Sequence, residues 1–160
     1  MINKISELPA ILNYNGNELF IDSFSCKRIA GEFGTPIFCY SINQVEKNFL
    51  ELKNSFKKMS PLICYAVKAN FNKNIIKLLA KKGSGADVVS VGELKHCLEN
   101  GIDSNKIVFS GVGKTNEELE FAIKKKIKQI NVESEEELVD IIKICKVNKL
   151  KKKTKVSIRV

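Results

Sequence analysis

Tryptophan is missing from the sequence, histidine occurs once, arginine twice, and only 3 of the 160 residues are proline. The single histidine, His96, and the five cysteines (Cys26, Cys39, Cys64, Cys97 and Cys145) form no CxxC pair and no Cys/His cluster. Neither a zinc site nor a disulfide framework is signalled, and no metal is expected. No apolar run approaches the length of a membrane span, and the opening stretch MINKISELPAILNYNGNELF lacks the apolar block and cleavage site of a secretory signal. These absences point to a cytoplasmic protein with reduced thiols and no membrane partner. With 44% hydrophobic residues and 9 glycines the composition is globular and sufficient for one ordinary core.

What is abundant is lysine. The formal net charge of +9 would suit a nucleic-acid partner, but Arg28 and Arg159 are the only arginines. Much of the charge sits in KKKIK and KVNKLKKKTK, with no interleaved aromatic residues to stack on bases, so these runs read as solvated faces. No nucleic-acid partner is expected.

Five short apolar runs recur: LICYAV (62–67), ADVVS (86–90), KIVFS (106–110), KQINV (128–132) and KVSIRV (155–160). Between them lie segments of helical period, carried by Ile75, Ile76, Leu78 and Leu79, then Leu94, Cys97 and Leu98, then Leu119, Ala122 and Ile123, then Leu138, Ile141, Ile142 and Cys145. Val45, Phe49, Leu52 and Phe56 mark a further helix ahead of the first run. Capping boxes are expected at Ser90/Glu93, Thr115/Glu118 and Ser134/Glu137, and helix stops at Gly83 and Gly101. Strands alternating with helices predict an α/β fold with a parallel sheet. A doubly wound sheet would carry GxGxxG after its first strand, and GSGAD has only the first two glycines in place, so a β/α barrel fits better.

A barrel strand points every second residue at the axis. Counting back from Lys68 puts Ala66 and Cys64 inward; the later strands offer Asp87, Ser110, Asn131, and Ser157 with Arg159. Polar residues in phase with successive strand ends predict a polar pocket with Lys68 at its mouth. A lysine there would be partly desolvated, which lowers the pKa of an amine and frees it to condense with a carbonyl. Other motifs read more plainly. SGVGKT (110–115) lacks the first glycine of a phosphate loop, Val108 standing there, so a tight turn into a capped helix explains it. His96 reads as an exposed helical residue, and Glu93 as a capping partner with a minor pocket role left open.

CYAVKAN, GSGADVVSVGEL, KIVFSGVGKT and INVESEEEL together resemble the N-terminal half of the diaminopimelate decarboxylase family, pyridoxal-phosphate enzymes of the alanine-racemase-like barrel group. ELFIDSFSCKRIAGEFGTPIFCYS resembles the family's opening, and the likeness runs from about residue 12 to residue 160. YAVKAN is shared with ornithine and arginine decarboxylases; FSGVGKT with INVES is more particular to the diaminopimelate branch. The resemblance implies that Lys68 carries pyridoxal 5'-phosphate, that Asp87 lies near it, that Arg159 supports the pocket beneath its ring, and that Ala66 packs by it. Ser110 and Asn131 line the same cavity. It also implies decarboxylation of meso-2,6-diaminopimelate to L-lysine by a homodimer.

A complete barrel of this kind takes roughly 250 residues. The chain is therefore expected to hold about five of eight strands: residues 1–36 an N-terminal strand and helix whose strand would join a C-terminal β-domain, and residues 37–160 the first part of the barrel. The family's ring-stacking histidine, its glycine-rich phosphate turn and the glutamate facing the pyridine nitrogen have no counterpart here. Such a piece is expected to be inactive alone. Other functions compatible with the residues are decarboxylation of another basic amino acid or a carboxynorspermidine-type substrate, or non-catalytic pyridoxal-phosphate binding in a regulator.

Overall fold

The computed structural model describes residues 11–149 and 153–160, which fall into two units, one ending at Asn48 and one running from Phe49 to Val160. In the first unit, β1 (Leu12–Asn15) and β2 (Glu18–Ile21) pair antiparallel around a two-residue turn in which Gly16 takes φ 61°. β3 (Phe24–Ser25) then pairs with β2. The single strand expected at ELFIDS is thus the middle of a three-stranded sheet. Gly16-Asn17 is the turn signal that marks the missed hairpin. Ser25 opens α1 (Cys26–Phe33) by accepting from the Arg28 N–H, and its hydroxyl also donates to Glu18.

α2 (Ile42–Ser55) begins at Ser41, whose Oγ accepts from Gln44 N–H at 3.0 Å. Its expected apolar stripe is only partly covered among the described residues: Phe49 is buried, while Leu52 and Phe56 are exposed.

The second unit alternates strand and helix: β4 (Cys64–Ala66), α3 (Lys73–Lys81), β5 (Gly85–Val88), α4 (Val91–Glu99), β6 (Ile107–Phe109), α5 (Asn116–Lys124), β7 (Gln129–Val132), α6 (Glu135–Val147) and β8 (Val156–Ile158). All five strands are parallel and neighbour one another in chain order. Each expected strand forms, but shorter than its apolar run. Val67, Ala86, Val88, Ile107, Phe109, Ile130 and Val132 face the helices and join Ile76, Leu94, Cys97, Leu119, Ala122, Ile123 and Ile141 in one buried cluster. Helices α3 to α6 therefore pack on one face of the sheet, whereas a doubly wound sheet carries helices on both. The arrangement is an arc of a β/α barrel. Phe109 is wholly buried in that cluster.

Gly85 permits the close approach of neighbouring chains: a β-carbon there would lie 2.3 Å from the Lys106 carbonyl oxygen and 2.8 Å from Cys64 Sγ. Packing, not phosphate binding, accounts for this glycine. Gly83 (φ 88°) and Gly101 (φ 94°) follow α3 and α4 as expected.

Of the three expected capping boxes, only Thr115 with Glu118 is reciprocal. Ser90 and Ser134 accept from the Glu93 and Glu137 N–H groups, but both glutamates turn elsewhere. Glu93 accepts from Val89 N–H at 2.9 Å, and Glu137 is taken by Lys114. Local sequence offers the box; a stronger partner in the fold overrides it.

Candidate active site

Toward the C-terminal ends of β5 and β6 and along β7, on the face away from the helices, four polar side chains form one chain of hydrogen bonds. Gln129 Nε2 donates to Asn131 Oδ1 (2.9 Å), Asn131 Nδ2 donates to Ser110 Oγ (2.9 Å), and Ser110 Oγ donates to Asp87 Oδ1 (2.5 Å). Strand register explains the meeting. Ala66, Asp87, Val108 and Gln129 stand opposite one another across β4 to β7, and Ser110 and Asn131 lie two residues further along their chains. Asp87, Ser110 and Asn131, expected from the two-residue period, are thus brought together in fact. Gln129 belongs to the same period and was missed because it lies at the start of its strand.

Lys68 lies just beyond β4, in a single 3-10 turn (Val67–Ala69) rather than in the strand itself. It is exposed, so the expected partial desolvation is corrected: the strand ends at Ala66, and the turn lifts the next inward position off the sheet. Its Nζ makes no hydrogen bond or ion pair among the described residues. The turn, in contrast, is clamped on both sides. Tyr65 Oη donates to the Asn70 carbonyl (3.0 Å), and His96 Nε2 lies 2.9 Å from the Phe71 carbonyl. Asn100 Nδ2 lies 3.3 Å from His96 Nδ1, which leaves the proton on Nε2, where it reaches Phe71. His96 is therefore not an idle surface residue: it fixes the segment that follows Lys68. Asn72 continues the order by capping α3.

The GVGKT segment has a structural role that the sequence did not disclose. Lys114 Nζ donates to the Gly111 carbonyl (2.8 Å), the Asn131 carbonyl (2.8 Å) and Glu137 Oε1 (2.7 Å), which uses all three of its hydrogens. The ammonium fastens the β6–α5 loop to the end of β7 and to the start of α6, and so holds the backbone that presents Asn131. Glu118 ties α4 to α5, accepting from Val91 N–H and Thr115 N–H, both at 3.0 Å, and these bonds hold its carboxyl below the ordinary 4.5.

Ala66 and Cys64 stand on β4 beside this row, half-buried. Burial first, and the Asp87 carboxylate second, push the Cys64 thiol up. Arg159 lies beyond β8; its side chain is 69% exposed and its Nη1 lies 3.4 Å from Glu133 Oε2. Ser157 is exposed as well. Lys68 and Arg159 thus stand at the same end of the sheet, on its two outer strands, with the hydrogen-bonded row between them.

The described residues thus form an arc of a β/α barrel, with Lys68, which has no partner among them, at the end of the first strand and a polar row along the next three. Residues 42–160 match the family described as pyridoxal-dependent decarboxylase, pyridoxal binding domain, and the chain belongs to that family. It is 44% identical over 156 residues to diaminopimelate decarboxylase of Aquifex aeolicus, a match covering 98% of this chain and 36% of the relative. Among solved structures it is similar to diaminopimelate decarboxylase of M. jannaschii in co-complex with L-lysine (TM-score 0.88, 35% identity, 94% of this chain and 36% of that one). It is similar also to the Helicobacter pylori enzyme complexed with L-lysine (TM-score 0.78, 42% identity, 84% and 34%). The chain spans about a third of the length of these relatives. The expected family, the barrel fold and pyridoxal phosphate as cofactor all stand.

Proposed function

We propose that the protein carrying this chain decarboxylates meso-2,6-diaminopimelate to L-lysine and carbon dioxide, with pyridoxal phosphate held by Lys68. The observation that carries this reading is the Lys68 amine, without a partner among the described residues, on a doubly clamped turn beside a polar row drawn from three successive strands. That arrangement suits the cofactor. A free amine is what an aldehyde requires, and a row already fixed by its own hydrogen bonds needs no reordering when a polar ring settles against it. Pyridoxal phosphate, when bound, supplies the electron sink for the carbon that loses its carboxylate.

The chain's own residues hold and orient. Lys68 Nζ would anchor the cofactor. Asp87, its carboxylate fixed by Ser110, would present a stationary negative charge, while Ala66 leaves room on β4. Ser110 and Asn131 keep that carboxylate from turning to water. Arg159 contributes a positive charge at the far end of the row. The barrel portion is proposed to begin at residue 37, shortly before the family match opens at residue 42. A homodimer in the cytoplasm completes the reading; all five cysteines are free thiols, and no helix among the described residues is long and apolar enough to cross a membrane.

The test uses the full-length protein with pyridoxal phosphate. Lysine released from meso-diaminopimelate, together with an absorbance near the violet edge that disappears in Lys68→Ala, is the expected result. Turnover of a different basic amino acid in preference would reassign the substrate, and an unchanged spectrum in Lys68→Ala would overturn the role of Lys68.

A further inference from the structure

Gln129 stands at the start of β7, opposite Val108, which in turn stands opposite Asp87. Two strand spacings, about 10 Å, separate Gln129 from Asp87, so either acts on the other only through what lies between. What lies between is a staircase. Gln129 Nε2 donates along its own strand to Asn131 Oδ1 (2.9 Å), Asn131 Nδ2 donates across to Ser110 Oγ (2.9 Å), and Ser110 Oγ donates to Asp87 Oδ1 (2.5 Å). Every donor in the row points toward the aspartate.

Ser110 and Asn131 do not fix that common direction by themselves. A hydroxyl has one hydrogen, and a primary amide that turns over exchanges its donor for its acceptor. With Asn131 reversed, its Oδ1 would face Ser110 Oγ and draw that hydrogen away, leaving hydroxyl lone pairs against the Asp87 carboxylate. The Asn131 backbone is pinned through its carbonyl by Lys114 Nζ (2.8 Å), so the side-chain amide is the part left to turn. Gln129 holds it by giving Oδ1 a donor, and the carboxylate at the other end of the row selects the same direction. We propose that Gln129 is the positioning residue of the row: its amide keeps Asn131 in the orientation that delivers the Ser110 hydrogen to Asp87, and so keeps the Asp87 carboxylate in place for the cofactor.

The inference rests on the decarboxylase reading above, in which Asp87 lies by pyridoxal phosphate. Two substitutions separate direction from packing. Gln129→Met keeps the length of the side chain and removes its donor. Gln129→Glu keeps the shape but, when ionised, offers acceptors alone, so it pairs with Asn131 Nδ2 and turns the row against Asp87. Each is made in the full-length protein, alone and together with Ser110→Ala, which cuts the row between Asn131 and Asp87. Dissociation constants for pyridoxal phosphate are read from the violet-edge absorbance, KM and kcat are measured for meso-diaminopimelate, and melting temperatures for the apoproteins.

Gln129→Met is expected to weaken pyridoxal phosphate about threefold and Gln129→Glu about tenfold, with kcat falling in the same order. In the Ser110→Ala background both substitutions lose their effect, because nothing then connects Gln129 to Asp87. A difference between the glutamate and methionine variants that persists beside Ser110→Ala marks a charge acting through space and overturns the proposal. Wild-type affinity in both variants overturns it as well. Should the melts show that Gln129→Glu does not fold, Gln129→Met with Ser110→Ala carries the same cycle. Failure of the wild type to show a violet-edge absorbance that depends on Lys68 would sink the decarboxylase reading and this inference together; additive mutations in a protein that does show it sink this inference alone.

Discussion

Lys114 Nζ lies 2.7 Å from Glu137 Oε1, with 1% and 8% of the two side chains exposed, and its remaining hydrogens are spent on two backbone carbonyls. Removing one partner of such a pair leaves a buried charge uncompensated. Lys114→Met is therefore expected to destabilise the fold by about 3–5 kcal/mol, and more than Glu137→Gln, which leaves the ammonium its two carbonyl acceptors. Denaturant melts of both variants test this; equal losses would show that the carbonyl bonds contribute little.

His96 secures the segment after Lys68 from a distance in sequence, through the Phe71 carbonyl. Phe71 is exposed, so in His96→Leu that carbonyl can turn to water and stability falls by about 1 kcal/mol or less. The turn it positioned is loosened all the same. Pyridoxal-phosphate affinity should drop by about tenfold, read as the titration midpoint of the violet-edge absorbance.

Glu118 yields a pH signature. Its carboxyl is held below the ordinary 4.5 chiefly by the Val91 and Thr115 N–H groups, so the folded state favours the ionised form. The stability it contributes is present above that value and is lost as pH falls through the lower, folded one. Glu118→Gln should be less stable than the parent at neutral pH, and the gap should close as the solution is acidified below about 4.5, measured by thermal melts across the acid range.

The thiols should differ in reactivity. Cys97 is wholly buried, and that burial, with Glu93 adding, pushes its thiol up to about 12, whereas Cys39 is exposed. Alkylation of the native protein at mildly alkaline pH is expected to modify Cys39 first and to leave Cys97 untouched until denaturant is added, as mapped by peptide mass spectrometry.

The 160-residue polypeptide corresponds to 36% of its Aquifex aeolicus relative. Expressed by itself with added pyridoxal phosphate, it should release no lysine from meso-diaminopimelate. Turnover by the isolated polypeptide at the rate of an ordinary enzyme would refute this.

The fold was legible because two periods carry it. Alternation by twos gave the inward residues Asp87, Ser110 and Asn131, and a period near 3.6 gave the faces of the four helices that pack on the sheet. What escaped was set by contacts distant in the chain. Lys114, Glu133 and the second duty of Glu137 depend on which loops meet after the sheet is formed, and no local spacing encodes that. The exposure of Lys68 was misjudged for a related reason. Periodicity extends a strand indefinitely, and only the 3-10 turn at Val67 shows where it stops. In the N-terminal unit the Gly16-Asn17 turn was available to be read, and the hairpin could have been anticipated from it.

Tyr65 steadies the Lys68 turn from within its own strand, but His96 does so from 25 residues downstream of the carbonyl it holds. During synthesis the amine leaves the ribosome well before its second clamp exists. Cofactor binding at full affinity therefore waits until α4 has emerged and docked, so tight loading follows assembly of the neighbouring strand and helix.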